Sequence, residues 1–476
     1  MGTGKAGGVH EYVERELKWS VDADFEMPDI AAFARDGEVR TDAVELSSTY
    51  YDTADDDLRA QGIVVRRRDG DDDTGWQVKL PTADGRLELH WPLTDTPPEE
   101  LLRVLRGAAL GKPLSEVATI RTYRQRHVVM AGGAQRFEVA DDAVRASVGD
   151  ALLAWREVEV ELGPDERAVP KKLRRGLRAA GARTASYPSK LARAVGAPRP
   201  PQRSKAAAVL GDYVDAQLAA IVAGDVALRR GQDPIHDTRV AIRRLRSVLR
   251  VFADVIAEDT DGLDAELRWL AGVLGDVRDP QVQQERFAEA LGDIPSELVL
   301  GPVRSRIRSD LRGRELRART AVDEALDTER HLALLATLRR WRGTPPFAAD
   351  LAAKPLVADA RRAGRKARRR LARALDAGDP DLLHGARKAA KRARYAAELV
   401  SPLDSGSARW AKRFKQVQTI LGDHQDAVVA LEALRRLGAA AGSAPGENGF
   451  TFGLLYAREE RVMADARVRV AGVAHR

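Results

Sequence analysis

No cysteine occurs among the 476 residues. Disulfides, thiolate metal sites and thiol nucleophiles are therefore excluded, and any metal ligands must be carboxylate oxygens or imidazoles. Aromatic residues make up 5% of the chain, too few to suggest the stacking platforms on which single strands of nucleic acid are held, and no nucleic-acid motif is present, so nucleic acid is not the expected partner. No apolar run reaches eighteen residues, which argues against a membrane span. The opening MGTGKAGGVHEYVERELKW has no apolar stretch after its first basic residue and lacks the Ser or Thr of a myristoylation signal. The expected location is the cytoplasm.

Charge is plentiful: 31% of residues are Asp, Glu, Lys or Arg, and the net charge is +7. It is unevenly spread. Residues 1–200 carry 30 basic against 34 acidic side chains, and residues 201–476 carry 48 against 37. A weakly acidic half joined to a basic half implies two tasks, the second with a polyanionic partner. The Pro-rich stretch GAPRPPQRS at 196–204 separates two textures and is read as the linker between domains at 9–195 and 205–476.

The first half reads as strands of period 2. VERELKW sets Glu14, Glu16 and Lys18 on one face, IVVRRRDG sets Arg66 beside Arg68, and WQVKLP presents Lys79. TYRQRHVV offers Arg124 and Arg126, and WREVEVEL stacks Glu157, Glu159 and Glu161. FEVADD leaves open which of Glu138, Asp141 and Asp142 shares their face. Any one such strand is ordinary, because antiparallel sheets often leave one face wet. Together they suggest a closed barrel with its apolar face outward and its charges inside. Grouped carboxylates without cysteine favour Mg²⁺ or Mn²⁺, and facing cations favour phosphoryl oxygens.

ExExK at 14–18, TYYDT at 49–53, the basic strand at 66–68, WxxKLP at 76–81, the Arg strand at 121–126, ExExEL at 157–162 and SK at 189–190 follow one another in an order that resembles the CYTH domain, the triphosphate tunnel metalloenzyme fold. The resemblance implies an α+β domain built on an eight-stranded antiparallel β tunnel. It implies that Glu14, Glu16, Glu157, Glu159 and Glu161 are the catalytic, metal-binding carboxylates and that Lys18, Arg66, Arg68, Lys79, Arg124 and Lys190 bind phosphates. The implied cofactor is Mg²⁺ or Mn²⁺, and the implied substrate is inorganic triphosphate or short polyphosphate. Adenylate cyclase or thiamine triphosphatase activity in the same tunnel is the alternative. Tyr50, Tyr51 and Asp52 are read as turn-forming or packing residues outside the site.

After residue 205 the pattern becomes helical and repeats itself. HDTRVAIRRLR at 236–246 returns as HGARKAAKRAR at 384–394, and LGDVRD at 274–279 returns as LGDHQD at 421–426. Two motifs repeating in order at nearly one offset indicate duplication, with copies at about 205–300 and 301–436 and a closing helix at about 451–470. The expectation is an all-α domain of two pseudo-symmetric helical bundles, each with a leading helix, a basic helix and a helix ending in LGD. On the first basic helix, Ala241, Ile242, Leu245, Val248 and Leu249 form the core face. His236, Arg239, Arg243, Arg246 and Arg250 form a stripe about 80° wide on the other side. Like charges at such spacing repel, so an anion is expected along it.

This half resembles a CHAD domain, which implies inorganic polyphosphate as its ligand, held by His236, Arg239, Arg243, Arg246, His384, Arg387, Lys391 and Arg394, with Arg368, Arg369 and Arg373 as additions. It further implies association with polyphosphate granules. The competing readings are a non-catalytic granule-binding protein, and arginines that do no more than pair with Asp276, Asp279, Asp423 and Asp426.

Overall fold

The computed structural model describes residues 10–34, 37–70, 74–82, 85–196 and 202–474 and divides into two compact units, 1–200 and 201–476. Most of the proposed linker, residues 197–201, and the Asp-rich positions 71–73 lie outside the described residues.

The first unit is one antiparallel sheet. In chain order its strands are β1 (His10–Glu14), β2 (Glu16–Val21), β3 (Glu38–Asp52), β4 (Val64–Asp69), β5 (Gly75–Thr82), β6 (Gly85–Trp91), β7 (Ser115–Ala131), β8 (Ala134–Val148), β9 (Ala151–Leu162) and β10 (Arg183–Thr184). The spatial order is β1-β6-β5-β4-β3-β7-β8-β9-β2-β10. β1 and β2 are one run of chain interrupted at Arg15. Because β1 pairs with β6 while β2 pairs with β9, that run joins the two ends of the sheet and closes it. The expected eight strands around a barrel are therefore present; the count of ten arises from the break at Arg15 and from the two-residue β10 beside β2.

Closure sends alternate residues inward and outward. Outward Trp19, Val139, Val158 and Val160 pack under helix α2 (Lys171–Ala179; α1 is Glu99–Leu105), which contributes Leu173 and Leu177, one turn apart. Each such buried side chain stabilises by about 2 kcal/mol. One end of the barrel is filled by hydrocarbon. Helix α3 (Lys190–Val195), capped by the Ser189 hydroxyl accepting from the Ala192 amide at 3.1 Å, brings Leu191 and Ala194 against inward-facing Val64, Ile120, Val144 and Ala146. The cap fixes Lys190 in the first turn, on the barrel axis side of that plug.

The second unit is helical: α4 (Lys205–Arg229), α5 (Ile235–Val251), α6 (Asp261–Gly292), α7 (Val303–Leu326), α8 (Glu329–Gly343), α9 (Ala353–Ala377), α10 (Pro380–Val400), α11 (Ser407–Gly442) and α12 (Phe450–Ala474). The basic helix α5 packs between α4 and α6, α10 packs between α9 and α11, and α5 also touches α10. Ala241, Ile242, Leu245, Val248 and Leu249 are buried, as the apolar spacing predicts. By length and composition α4 is apolar enough to cross a membrane, and 44% of its most apolar window is buried within the unit.

One expectation is overturned. LGD does not end a helix: α6 and α11 run straight through residues 274–279 and 421–426, and α6 even contains Pro280. The glycine serves close approach instead. A Cβ on Gly275 would come within 3.0 Å of the Arg239 guanidinium, and one on Gly422 within 3.4 Å of that of Arg387.

Candidate functional site

Ten of the eleven tunnel residues named from the sequence line one cavity: Glu14, Glu16, Lys18, Arg66, Arg68, Lys79, Arg124, Glu159, Glu161 and Lys190. The eleventh, Glu157, reaches the cavity through Lys190 and accepts from the Trp155 indole at 2.6 Å. The cavity is only about 70 Å³, room for a few waters, because its charged side chains reach across it to one another.

These pairings alternate in sign over most of the wall. Lys190 Nζ sits among Asp142, Glu157 and Glu159 at 2.8, 3.0 and 2.7 Å. Arg124 forks onto both oxygens of Asp142 at 2.8 and 2.7 Å and reaches Glu159 at 2.6 Å. Lys18 bonds Glu159 and lies 2.8 Å from Glu16, and Lys79 lies 2.6 Å from Glu14 and 2.8 Å from Glu88. Burial alone would raise the Glu159 pKa, but Lys18, Lys190 and Arg124 hold it well below the usual carboxylate range. Burial disfavours charge on Lys190 too, yet its three carboxylates push its pKa up.

One row differs. Glu16, Glu161 and Glu138 stand directly opposite one another across β2, β9 and β8. Three like charges in cross-strand register destabilise the sheet unless a cation lies among them. Burial, followed by the nearby Glu14, pushes the Glu161 carboxyl up to about 8, and burial raises Glu16 and Glu138 as well. Two carboxylate groups can therefore be considered for a divalent ion. Asp142, Glu157 and Glu159 offer oxygens within 4.8 Å of one another, but the Lys190 ammonium already neutralises them. The Glu16–Glu161–Glu138 row beside Glu14 is the under-neutralised one, and its all-oxygen donor set fits Mg²⁺ or Mn²⁺.

This row makes a testable prediction. Between about pH 4.3, where glutamate ionises in an unfolded chain, and pH 8 the folded Glu161 holds a proton that the unfolded chain has released. Stability should then fall as pH rises through that window. Thermal melts in chelator from pH 5 to 9 should show the wild type losing melting temperature relative to Glu161→Gln; parallel curves would refute the assignment.

The structure also settles positions that alternation left open. Asp142 and Glu138 face inward, whereas Asp141 points out and pairs with Arg156 at 2.7 Å. Tyr51 and Asp52 lie outside the site: Tyr51 donates to Glu116 at 3.1 Å, and Asp52 accepts from the amides of Thr53, Leu58 and Arg59. Tyr50 does not conform to the expectation, for it lines the cavity. Arg86 lines it too, and buried Glu88 pairs with Lys79; both were visible in the alternation of RLELHW at 86–91.

In the helical unit the two basic stripes meet. Arg239 pairs with Asp279 at 3.0 Å, and its repeat partner Arg387 lies 3.8 Å from Asp426. Each copy thus sets its first arginine over the LGD glycine and against the last aspartate of that motif. Arg246 is held by Asp264 at 3.0 Å and Arg394 by Glu398 at 2.7 Å, while Asp423 pairs with Arg469. Arg243 and Lys391 have no carboxylate at ion-pair distance among the described residues. Burial first, then Arg387, Arg243 and Arg239, pull the Lys391 pKa down to about 7. Burial likewise lowers that of Arg243, with Arg239 and Arg387 adding to it against Tyr395. His384 is lowered by burial and by Lys388, Arg387 and Lys391. His236 opens instead onto a separate cavity of about 590 Å³ with Asp233, Arg278 and Glu315. Arg368, Arg369 and Arg373 are exposed.

Residues 13–194 match the CYTH domain model and residues 212–435 the CHAD domain model. Two Mycobacterium tuberculosis proteins, MT2285 and Rv2226, both described as uncharacterized, are each 34% identical over 450 residues, spanning 87% of this chain and 86% of theirs. Among solved structures, PptA from Streptomyces chartreusis is similar with a TM-score of 0.48 and 23% identity, covering 57% of this chain and 99% of its own. The CHAD domain of the plant Ricinus communis is similar with a TM-score of 0.47 and 26% identity, over 58% of this chain and 93% of its own.

Proposed function

Since the chain belongs to the family that joins a CYTH domain, the tunnel type of triphosphatases and cyclases that use divalent metals, to a CHAD domain, we propose that its barrel hydrolyses inorganic triphosphate or short polyphosphate and that its helical unit binds inorganic polyphosphate. The observation that carries the reading is the lumen itself: seven cations, Lys18, Arg66, Arg68, Lys79, Arg86, Arg124 and Lys190, line one cavity together with a row of under-neutralised carboxylates centred on Glu161.

In this reading the lumen works by exchange of counter-ions. Arg124, Lys18 and Lys190 let go of Glu159 and Asp142 and take phosphoryl oxygens, with the arginine fork matching two of them at once. Glu16, Glu161, Glu138 and Glu14 would hold a divalent ion, which when bound would neutralise phosphate charge and lower the pKa of the attacking water. The protein's own part is to hold the chain in line and to exclude solvent, and the α3 plug closes the far end so that phosphates enter from one side. In the helical unit, the donors of Arg239, Arg243, Arg387 and Lys391 face the same anion, with His384 beside them. A flexible chain of phosphates, carrying dense charge and no bases to read, suits such a seam. Association with polyphosphate granules belongs to the same proposal.

The test compares phosphate release from inorganic triphosphate, ATP and thiamine triphosphate with Mg²⁺ or Mn²⁺. Turnover of inorganic triphosphate at least tenfold above the other two is expected. Cyclic AMP from ATP, thiamine triphosphate as the preferred substrate, or no turnover of any of the three would overturn it.

A further inference from the structure

The two halves of the helical unit are repeats, and at one place they differ in the sign of a charge. The spacing of His236 and His384 makes Arg244 the counterpart of Arg392, Arg246 of Arg394 and Arg250 of Glu398. Near the end of α10, Glu398 neutralises Arg394 of its own helix at 2.7 Å and Arg244 of α5 at 3.5 Å. Exchange the two helices, as the repeat does, and Arg250 stands where that glutamate stood, beside Arg392. Arg246 and Arg250 turn instead to Asp264 of α6, 3.0 and 2.6 Å away, and Arg268 shares the same carboxylate at 3.1 Å. Arg392 has no carboxylate at ion-pair distance among the described residues, and its Nε donates to the Lys388 carbonyl of its own helix. Helix α9 adds to the excess. Its counterpart α4 has no cation between Lys205 and Arg229, whereas α9 brings Lys366 and Arg370 to the same spot, again with no carboxylate partner among the described residues.

Arg250, Lys366, Arg370 and Arg392 line a cavity of about 250 Å³, kept open by the small side chains of Ala363 and Ala389. The two carboxylates at its edge are engaged, for Arg362 holds Asp359 at 2.7 Å and Asp254 at 3.5 Å. Burial first, then Arg250, Arg370 and Arg246, lower the Arg392 pKa against the pull of Asp264. Cations gathered in a partly desolvated space favour an anion among them, and guanidinium forks match phosphate oxygens two at a time. The space suits one compact group, and Asp254 and Asp359 repel a phosphate chain that would run on past it. We propose that this cavity is a phosphate site of the helical unit, distinct from the seam of Arg239, Arg243, Arg387 and Lys391. It takes a single compact phosphate group, free orthophosphate or the phosphate of a small ester, in the place that Glu398 fills in the other half. Occupancy needs neither a catalytic barrel nor a filled seam.

The experiment is calorimetric titration of the full chain with inorganic phosphate, with glycerol 3-phosphate and, separately, with long-chain polyphosphate. Three variants are compared with the wild type. Arg250→Glu gives the first copy the carboxylate of the second, Arg370→Met changes an exposed position of α9, and Arg243→Met lies in the seam. The wild type is expected to bind one more inorganic phosphate or glycerol 3-phosphate per chain than Arg250→Glu, and the tighter of the two identifies the source. Arg370→Met should weaken that site about 10-fold, the effect of losing one charge-assisted hydrogen bond. Arg243→Met should leave the site unchanged while weakening polyphosphate. Equal phosphate stoichiometry in the wild type and Arg250→Glu, or unchanged affinity in Arg370→Met, would overturn the proposal. So would a phosphate site lost in Arg243→Met, or polyphosphate affinity that falls as far as phosphate affinity in Arg370→Met, since either would make the cavity a stretch of the seam. Should Arg250→Glu fail to fold, the Arg370→Met titration decides alone.

Discussion

Glu159→Gln is expected to lower the unfolding free energy by about 3–5 kcal/mol at neutral pH while making the metal-free protein bind triphosphate more tightly than the wild type does. The carboxylate is the hub of the lumen: Lys18, Lys190 and Arg124 all bond it, and it is buried. Removing its charge leaves Lys18, Lys190 and Arg124 each one carboxylate short in a poorly solvated space, which is the costly way to break a buried ion network. The depressed pKa of Glu159 sets the sign of the pH dependence. Its contribution is fully present above the unfolded carboxyl value near 4.3 and is lost as pH falls through the lower folded value, so the gap between variant and wild type should narrow in acid. Triphosphate should restore much of the lost stability, because its oxygens take the place of the missing carboxylate. Metal-dependent turnover should nevertheless fall on the order of 100-fold, the usual effect of removing one charge-stabilising group. Thermal melts with and without triphosphate, together with phosphate release, check all three. A variant as stable as wild type, with unaltered triphosphate affinity, would mean that the lumen does not work by exchange of counter-ions.

That exchange was only half legible in the sequence. Period 2 is stringent: if Glu14 faces inward, so do Glu16 and Lys18, and the parity of VERELKW, IVVRRRDG and WREVEVEL was enough to assemble the lining. Parity does not say which strands adjoin. The register that puts Glu16, Glu161 and Glu138 in one row, and Lys190 in a cage of three carboxylates, depends on how β2, β9 and β8 pair, which no local pattern encodes. Asp141 and Asp142 were indistinguishable for the same reason, until the β8 register set one against Arg156 and the other against Arg124.

Two further misreadings have a common origin. TYYDT looked like a turn because Asp52 does cap one, yet the residue two places earlier points into the barrel. LGD looked like a helix stop because glycine and aspartate usually are, whereas Gly275 and Gly422 make room for arginines arriving from neighbouring helices. In both cases a tertiary demand, not the local backbone, selects the residue, and propensity alone cannot see it.

Replacing Arg243 or Lys391 with methionine is expected to stabilise the protein and weaken polyphosphate binding, a combination that a purely structural role cannot give. Each is a mostly buried cation with no carboxylate partner among the described residues, surrounded by Arg239 and Arg387. Methionine keeps the apolar stem and removes the repulsion, so each fold should gain about 1–2 kcal/mol, as when buried charges give way to packed hydrocarbon. Each loses one charge-assisted contact to phosphate, so polyphosphate affinity should drop about 10- to 100-fold. The Lys391 pKa near 7 adds a signature of its own. Between pH 7 and the unfolded lysine value near 10.4 the unfolded chain carries more protons than the folded one, so stability should rise with pH across that window. Bound polyphosphate pulls the lysine back toward its charged form, so binding near pH 8 should take up a proton and should weaken as pH increases. Calorimetry in buffers of different ionisation enthalpy reads that proton directly, and Lys391→Met should abolish its uptake. Methionine variants that are less stable than wild type yet bind polyphosphate equally well would show these cations to be structural members of the bundle and would leave the seam without its anion.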